Sequence, residues 1–213
     1  RLAHEIKNPL TPIQLSAERL RQKYLRKLPL PDAETLDRLT ETIIQQVETM
    51  KEMVNAFSEY AKTPKMQWRK VNLNELVEEV IELYHHPTVH FNLWLSEELP
   101  LIEADCGRLR QVLHNLIKNA SEAQTTNNCI TVTTHAVTEE MWKGVELSIA
   151  DQGPGVPLQL LDKIFEPYVT TKPKGTGLGL AIVKKIIDEH GGIVWIENRP
   201  GACVIIRLPV VNE

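Results

Sequence analysis

The chain has 213 residues, of which 42% are hydrophobic and 24% are charged, a balance that fits one or two globular domains and argues against extended disorder. A formal net charge of -4 gives no general electrostatic reason to bind nucleic acid or an anionic membrane. Three cysteines without CxxC spacing indicate neither a disulfide framework nor a zinc site. No apolar run approaches the roughly 18 to 20 residues that a membrane span requires.

The first segment has the pattern of an amphipathic helix. Its apolar residues recur in steps of three and four from Leu2 to Tyr24. His4 lies about 200° around that helix from the apolar residues that flank it, so its imidazole is expected to face solvent. Asn8 follows one turn later on the same side. Pro9 removes a backbone donor and is expected to bend the helix.

A second helix is predicted after a short connection. Pro29 and Pro31 interrupt the first helical pattern, and Asp32 is positioned to cap a new start. Apolar residues then recur every seven positions, which is the pattern of a bundle seam. The heptad residues are Leu36, Ile43, Met50 and Phe57. Since two helices alone bury little apolar surface, two copies are expected to pair as a four-helix bundle, which predicts a homodimer.

The composition changes after Pro64, and the domain boundary is placed near Lys65. Beyond it the patterns predict an α/β sandwich, a mixed sheet covered by helices on one face. The predicted elements are strand 71–73, helix 73–84, strand 90–95, helix 106–123, strands ending at 135 and 150, helix 178–190, and a hairpin of 193–197 with 203–208. His190 is expected to end its helix favourably, at the negative end of the helix dipole.

Two glycine-rich strings follow in the second half. Asp151 comes directly after an apolar strand, and its carboxylate is suited to accept a hydrogen bond from an exocyclic amine. Gly153 and Gly155 allow positive φ and a close backbone approach to a ligand. The string GTGLGL at 175–180 opens a helix, where N–H groups and the helix dipole attract phosphate. The combination predicts a nucleotide between the two strings.

A pair of asparagines precedes both glycine-rich strings. In LHNLIKNASEA, Asn115 and Asn119 are four residues apart and share one helical face. Amide oxygens are suitable ligands for Mg²⁺, although such a pair also occurs where asparagines merely cap or bond locally. Lys118, between them, can reach a phosphate or remain solvated.

Five stretches in this order resemble the catalytic core of a two-component sensor histidine kinase. HEIKNPLTP is similar to the phosphoacceptor box, LHNLIKNASEA to the asparagine box, DQGPG to the first glycine box, IFEPYVTTK to the phenylalanine and lid segment, and GTGLGL to the second glycine box. The amino-acid sequence of the first helix resembles that of the NtrY-like nitrogen-regulatory branch. The resemblance implies an α+β fold, with a dimerisation and phosphotransfer hairpin at 1–65 that forms a dimeric four-helix bundle. It implies an ATP-binding α/β sandwich of the histidine kinase, gyrase and Hsp90 type at 66–213.

The resemblance also implies roles in phosphoryl transfer. His4 would take the γ-phosphoryl group of ATP, Glu5 would hold the proton of the far ring nitrogen, and Asn8 would orient water for phosphatase activity toward a response regulator. The cofactors implied are ATP and Mg²⁺, the latter bound by Asn119 with Asn115 assisting. The implied ATP-binding residues are Asn115, Lys118, Asn119, Asp151, Gly153, Gly155, Lys172, Gly175, Thr176, Gly177, Leu178 and Gly179.

Within that set, Asp151 is expected to read the adenine amino group and Lys172 to reach the γ-phosphate. Many similar kinases carry a basic residue where this chain has Glu122, so one phosphate contact is expected to come from Lys118 or Lys172 instead. The lid between Phe165 and Gly175 is short, which predicts fast nucleotide exchange or weak affinity.

The implied partners are the receiver domain of a response regulator and a second copy of the chain, with neither nucleic acid nor membrane contact by this segment. The chain opens at Arg1 without methionine and its first helix begins within the pattern, so it is interpreted as a fragment. The resemblance implies that this fragment is a cytoplasmic domain and that the full-length protein is anchored in a bacterial inner membrane. One alternative is a degenerate dimeric scaffold or phosphatase-only core. Another is an ATPase of the same fold, which is disfavoured because Asn115 occupies the position of the water-activating glutamate in those enzymes.

Overall fold

The computed structural model describes residues 2–61, 65–84, 89–123, 129–139, 142–172 and 175–210, and only the backbone of residues 2–4 and 59. The described residues form two compact units, one consisting of the helical hairpin with residues 170–172 and 175–176, and the other a domain built on a β-sheet. Within these ranges, no helix is both long enough and apolar enough to cross a membrane.

The hairpin consists of helix α1, Leu2–Tyr24, and helix α2, Leu30–Ala61. Helix α1 continues through Pro9 and Pro12. The predicted cap at Asp32 is wrong, because this residue lies inside the first turn of α2. Proline fits a first helical turn, where its missing N–H has no partner to lose, so α2 begins before Pro31 rather than after it.

The two helices of the hairpin meet along a narrow seam. Leu10, Ala17 and Val47 are buried there, together with Thr40, whose hydroxyl donates to the carbonyl of Leu36 at 2.7 Å. Two polar links join α1 to α2. Arg21 pairs with Asp37 at 2.6 Å and with Glu41, and Lys51 Nζ donates to Gln14 Oε1 at 2.5 Å.

The sheet domain contains seven strands, three α-helices and a short 3₁₀ turn among its described residues. In chain order they are β1 (Arg69–Val71), α3 (Leu73–Glu82), β2 (His90–Leu95), β3 (Ile102–Ala104), α4 (Cys106–Ser121), β4 (Cys129–Glu139), β5 (Trp142–Ala150), the turn Leu158–Leu160, α5 (Gly179–Glu189), β6 (Ile193–Arg199) and β7 (Gly201–Pro209). Five strands form one sheet in the order β2-β4-β5-β7-β6, in which only β2 and β4 run parallel. The predicted mixed sheet is therefore confirmed.

One face of this sheet carries the core. Along β4, Ile130, Val132 and Thr134 are buried while the residues between them are less so, as expected for a strand covered on one side. Helices α4 and α5 pack against each other and against strands of the sheet. On the opposite face, the Arg207 guanidinium lies between the rings of Trp142 and Trp195, 5.9 and 5.4 Å from their centroids.

Several predicted element boundaries differ from the structure. The strand predicted at 71–73 ends at Val71, because the Asn72 side chain accepts from the N–H groups of Asn74 and Glu75 and caps α3. Strand β3 was not predicted at all. It has only three residues and forms by pairing with β1, a contact distant in sequence. Strand β4 runs to Glu139 instead of ending at His135, because its polar end pairs with the start of β5.

Candidate functional site

Three segments of the sheet domain converge near the end of α4. A Cβ placed on Gly179, the first residue of α5, would lie 3.4 Å from Oδ1 of Asn115 and 3.9 Å from Nδ2 of Asn119. A Cβ on Gly153, in the loop after β5, would lie 2.8 Å from the Cβ of Ala123. The asparagine pair and both glycine strings are thus neighbours in space although they are separated by up to 64 residues in sequence.

The N-terminus of α5 differs from those of the other two helices in this domain. Asn72 caps α3, and Asp105 caps α4 by accepting from the N–H of Arg108 at 3.1 Å. At the start of α5 the N-cap residue is Leu178, whose apolar side chain makes no cap hydrogen bond. The first turn of a helix carries N–H groups without intrahelical partners and a partial positive charge, so this end is suited to bind phosphate.

The asparagine pair supplies hard oxygen donors beside that helix end. Asn115 Nδ2 donates to the carbonyl of Gln111 at 3.0 Å, which fixes the amide and leaves its Oδ1 on the side of Gly179. The donor set therefore fits Mg²⁺, which prefers such oxygens together with water and substrate phosphates. The side chain of Lys118 is exposed and lies 3.9 Å from Glu122.

Asp151 is held by hydrogen bonds to the neighbouring strand β7 and to its own loop. Its Oδ1 accepts from the N–H of Gly153 at 2.8 Å and from the N–H of Ala202 at 3.1 Å. Its own N–H donates to the carbonyl of Ala202 at 2.9 Å. Because only Oδ1 accepts these bonds, Oδ2 has no hydrogen-bond donor among the described residues and is the oxygen suited to accept from a ligand amine.

The lid segment is flanked by two residues with positive φ. Tyr168 has φ of 69° and Gly177 has φ of 66°, and the Tyr168 N–H donates to the Gly177 carbonyl at 2.9 Å. A tyrosine with positive φ is strained and uncommon. Further along the segment, Thr170 Oγ1 accepts from the N–H of Lys172 at 3.0 Å, and the Gly175 N–H donates to the Lys172 carbonyl at 3.0 Å.

The residues implied in phosphoryl acceptance belong to the helical hairpin. His4 lies in α1, and its side chain is outside the described residues. Glu5 and Asn8 follow in the same helix, and both side chains are exposed. Asn8 is thus accessible on α1, as its position in the helical pattern predicts.

His190 is buried in the sheet domain rather than acting as a cation at a helix end. Its Nε2 accepts from the N–H of Asp105 at 3.0 Å, its Nδ1 bonds the Ile186 carbonyl at 2.7 Å, and its ring lies against Trp68. This pattern requires the neutral ring with the proton on Nδ1. Burial lowers the pKa of His190, and the Ile186 carbonyl and the carboxylates of Asp105 and Glu189 offset this only in part.

The stability of the domain is expected to fall in acid because of His190. A histidine whose pKa is lower folded than unfolded takes up a proton on unfolding, so its contribution is present above about pH 6.5 and is lost as pH falls below that value. Burial also lowers the pKa of His114, which adds in the same direction. Urea unfolding at pH 7.5 and 5.5 measures the effect. His190→Gln is expected to show a smaller drop than the native chain, and an equal drop contradicts the assignment.

Family models match both parts of the chain. The model described as histidine kinase-, DNA gyrase B- and HSP90-like ATPase matches residues 104–212. The model described as the His Kinase A phospho-acceptor domain matches residues 1–64. The phospho-acceptor match contains HEIKNPLTP, and the ATPase match contains all three converging segments of the site.

Characterised proteins and solved structures are similar over the whole chain. Nitrogen regulation protein NtrY of Azorhizobium caulinodans is 41% identical over all of this chain, which spans 28% of that protein. A crystal structure of full-length ShkA in complex with AMPPNP has a TM-score of 0.70 and 28% identity, covering 100% of this chain and 45% of ShkA.

The histidine kinase ThkA in complex with the response regulator TrrA also has a TM-score of 0.70. It is 37% identical and covers 99% of this chain and 60% of the ThkA chain. The chain spans less than half the length of the curated relatives it matches, between 28% and 45%.

Proposed function

The chain belongs to the sensor histidine kinases, and from this membership we propose that it is a catalytic core that phosphorylates His4 with ATP and passes the phosphoryl group to a response regulator. The observation that carries the proposal is the N-terminus of α5 beside Asn115 and Asn119, with the Asp151 carboxylate on the neighbouring loop. This arrangement offers separate partners for phosphate, for a divalent cation and for a base.

The nucleotide would be held at its two ends by different chemistry. Asp151 Oδ2 would accept from the adenine amino group, and the N–H groups that open α5 would donate to the phosphates, within the 175–179 string. Lys118 and Lys172 would supply positive charge to the phosphates. Asn119, with Asn115, would hold Mg²⁺, which neutralises phosphate charge when bound. The relative that binds AMPPNP supports this assignment of ligand class.

Phosphoryl transfer would then be an in-line displacement. A lone pair of the His4 ring attacks the γ-phosphorus, the bond from that phosphorus to the β–γ bridging oxygen breaks, and ADP leaves with that electron pair. Glu5 would hold the proton of the far ring nitrogen and so raise the basicity of the attacking one. The phosphoryl group would next pass to a receiver aspartate, and Asn8 would orient water for its later hydrolysis. The response regulator complex of ThkA supports this class of partner.

The decisive experiment is incubation of the chain with Mg²⁺ and ATP labelled at the γ-phosphorus. We expect label on the protein that is lost in acid and retained in alkali, as a phosphoramidate bond requires. Release of inorganic phosphate without protein label would favour an ATPase of the same fold. Demonstrated ADP binding with neither label nor phosphate release would favour the scaffold or phosphatase-only alternative.

We also propose that the hairpin pairs with a second copy. Six large apolar side chains lie on heptad steps and are 42% to 50% exposed in the single chain. They are Ile6, Ile13 and Leu20 on α1 and Ile43, Met50 and Phe57 on α2. Pairing as a four-helix bundle would remove these rows from water, and it is consistent with a hairpin domain at 1–65 and a nucleotide-binding domain at 66–213.

A charge placed within these rows is expected to dissociate the dimer. Met50→Glu would put a carboxylate into the apolar seam, and the desolvation of that charge outweighs the apolar contact that it replaces. Sedimentation velocity should give a dimer for the native chain and a monomer for Met50→Glu. Leu158→Glu is the control, because Leu158 is 79% exposed outside the hairpin and should leave the dimer intact. A dimer that survives Met50→Glu would contradict the proposed seam.

A further inference from the structure

Asn198, in strand β6, bonds both backbone polar groups of a single residue in the loop after Asp151. Its Oδ1 accepts from the N–H of Val156 at 2.8 Å, and its Nδ2 donates to the carbonyl of Val156 at 2.9 Å. A side-chain amide has one acceptor and one donor group, so it matches a backbone residue in both bonds at once. We call this pair of bonds the Asn198 clamp.

The second glycine of DQGPG is explained by this clamp. Gly155 has φ of 75°, and a Cβ on it would lie 2.6 Å from Oδ1 of Asn198. No side chain fits there without displacing the amide. The sequence pattern predicts a close approach by a ligand at this glycine, whereas the close neighbour in the structure is the side chain of Asn198.

The same pair of residues in the sheet anchors both ends of the loop. Asn198 and Ala202 are directly opposed in the ladder between β6 and β7. Ala202 bonds the backbone N–H and the Oδ1 of Asp151, and Asn198 bonds Val156. The loop that carries Asp151 is therefore fixed at its start and at its end by one rung of the hairpin.

We propose that Asn198 is a positioning residue that holds the loop carrying Asp151 in the conformation that binds the base of the nucleotide. The inference rests on the proposed function, because it assigns the clamp to the base-binding side of the site. Without the clamp the Val156 end of the loop is released while Asp151 keeps its bonds to Ala202. ATP then binds more weakly because the loop must be ordered on binding, whereas the transfer step at saturating ATP does not change.

The test is Asn198→Asp, which keeps the size and the acceptor but turns a carboxylate oxygen toward the Val156 carbonyl. Asn92→Asp is the matched control, since Asn92 is also an exposed strand asparagine and its amide lies 3.1 Å from the sulfur of Cys129. We expect the Kd for ADP and the KM for ATP to rise about tenfold in Asn198→Asp, with kcat within twofold, and no change in Asn92→Asp.

Two results would overturn the proposal. One is ADP binding by Asn198→Asp that equals native binding, and the other is a parallel loss of kcat, affinity and unfolding temperature, which would indicate only structural damage. Calorimetric ADP binding does not depend on phosphoryl transfer. Intact ADP binding in a native chain that takes no label would therefore overturn the proposed kinase activity and leave the clamp to be judged by its own affinity change.

Discussion

Replacement of His4 by glutamine is expected to lower the protein-bound phosphoryl label by at least about 1,000-fold. Glutamine is similar in size to histidine, but its amide nitrogen is not a nucleophile because its lone pair is delocalised onto the carbonyl. The measurement is label per chain after incubation with Mg²⁺ and γ-labelled ATP. ADP affinity should remain within twofold, because His4 lies in α1 and is not among the proposed nucleotide ligands.

The same experiment distinguishes His4 from the other six histidines of the chain. His114→Gln is a suitable control, because His114 lies next to the asparagine pair but its Nδ1 is bonded to the Tyr84 hydroxyl at 3.0 Å. It should keep most of the label. Label that is retained in His4→Gln and lost in His114→Gln would place the phosphoryl acceptor in α4 instead of α1. That result would contradict the proposed function.

Replacement of Gly177 by alanine is expected to lower the free energy of unfolding by about 2 to 5 kcal/mol and to weaken ADP binding at least about tenfold. Alanine with φ of 66° is strained, and its Cβ would lie 2.5 Å from the carbonyl carbon and 2.7 Å from the Cα of Tyr168. Both are backbone atoms, so Tyr168 must move. That movement breaks the hydrogen bond that joins Tyr168 to Gly177 and shifts the glycine string that opens α5.

Gly191→Ala provides a matched control within the same chain. Gly191 has φ of 69°, almost the same as Gly177, but a Cβ on it meets no atom within 4 Å. Gly191→Ala should therefore lower the free energy of unfolding in urea by only about 1 to 2 kcal/mol, the cost of alanine in the left-handed conformation. It should bind ADP as the native chain does. Equal effects of the two substitutions would show that the contact with Tyr168 is unimportant.

Much of the fold was predictable because it depends on local patterns. Helices α4 and α5 are found within two residues of their predicted bounds, since their apolar periodicity and their flanking residues act within a few positions. The ends of β4 and β1 were not predictable in this way. A strand ends where its partner ends, and the partners of β4 and β1 come from segments that the local pattern does not link to them.

The candidate site shows the same division. Asn115, Asn119, Asp151 and the two glycine strings were identified from residue types and spacing, and the structure brings them together. Asn198 was missed, because Asn-Arg-Pro-Gly is readable only as a turn between two strands. His190 is predicted correctly at its helix end, with a favourable interaction with the helix dipole, and only its neighbours Asp105 and Trp68 reveal that it is buried and neutral.

The sequence by itself determined the helical hairpin, the mixed sheet and the identity of the residues available for nucleotide chemistry, because these follow from periodicity and from the spacing of a few side chains. Only the tertiary structure decided the strand order, the close approach of Gly177 to Tyr168 and the clamp of Asn198 on Val156. These are contacts between residues as many as 65 positions apart, as for Gly144 and Pro209. Their existence depends on how packed elements meet, which local propensity does not specify.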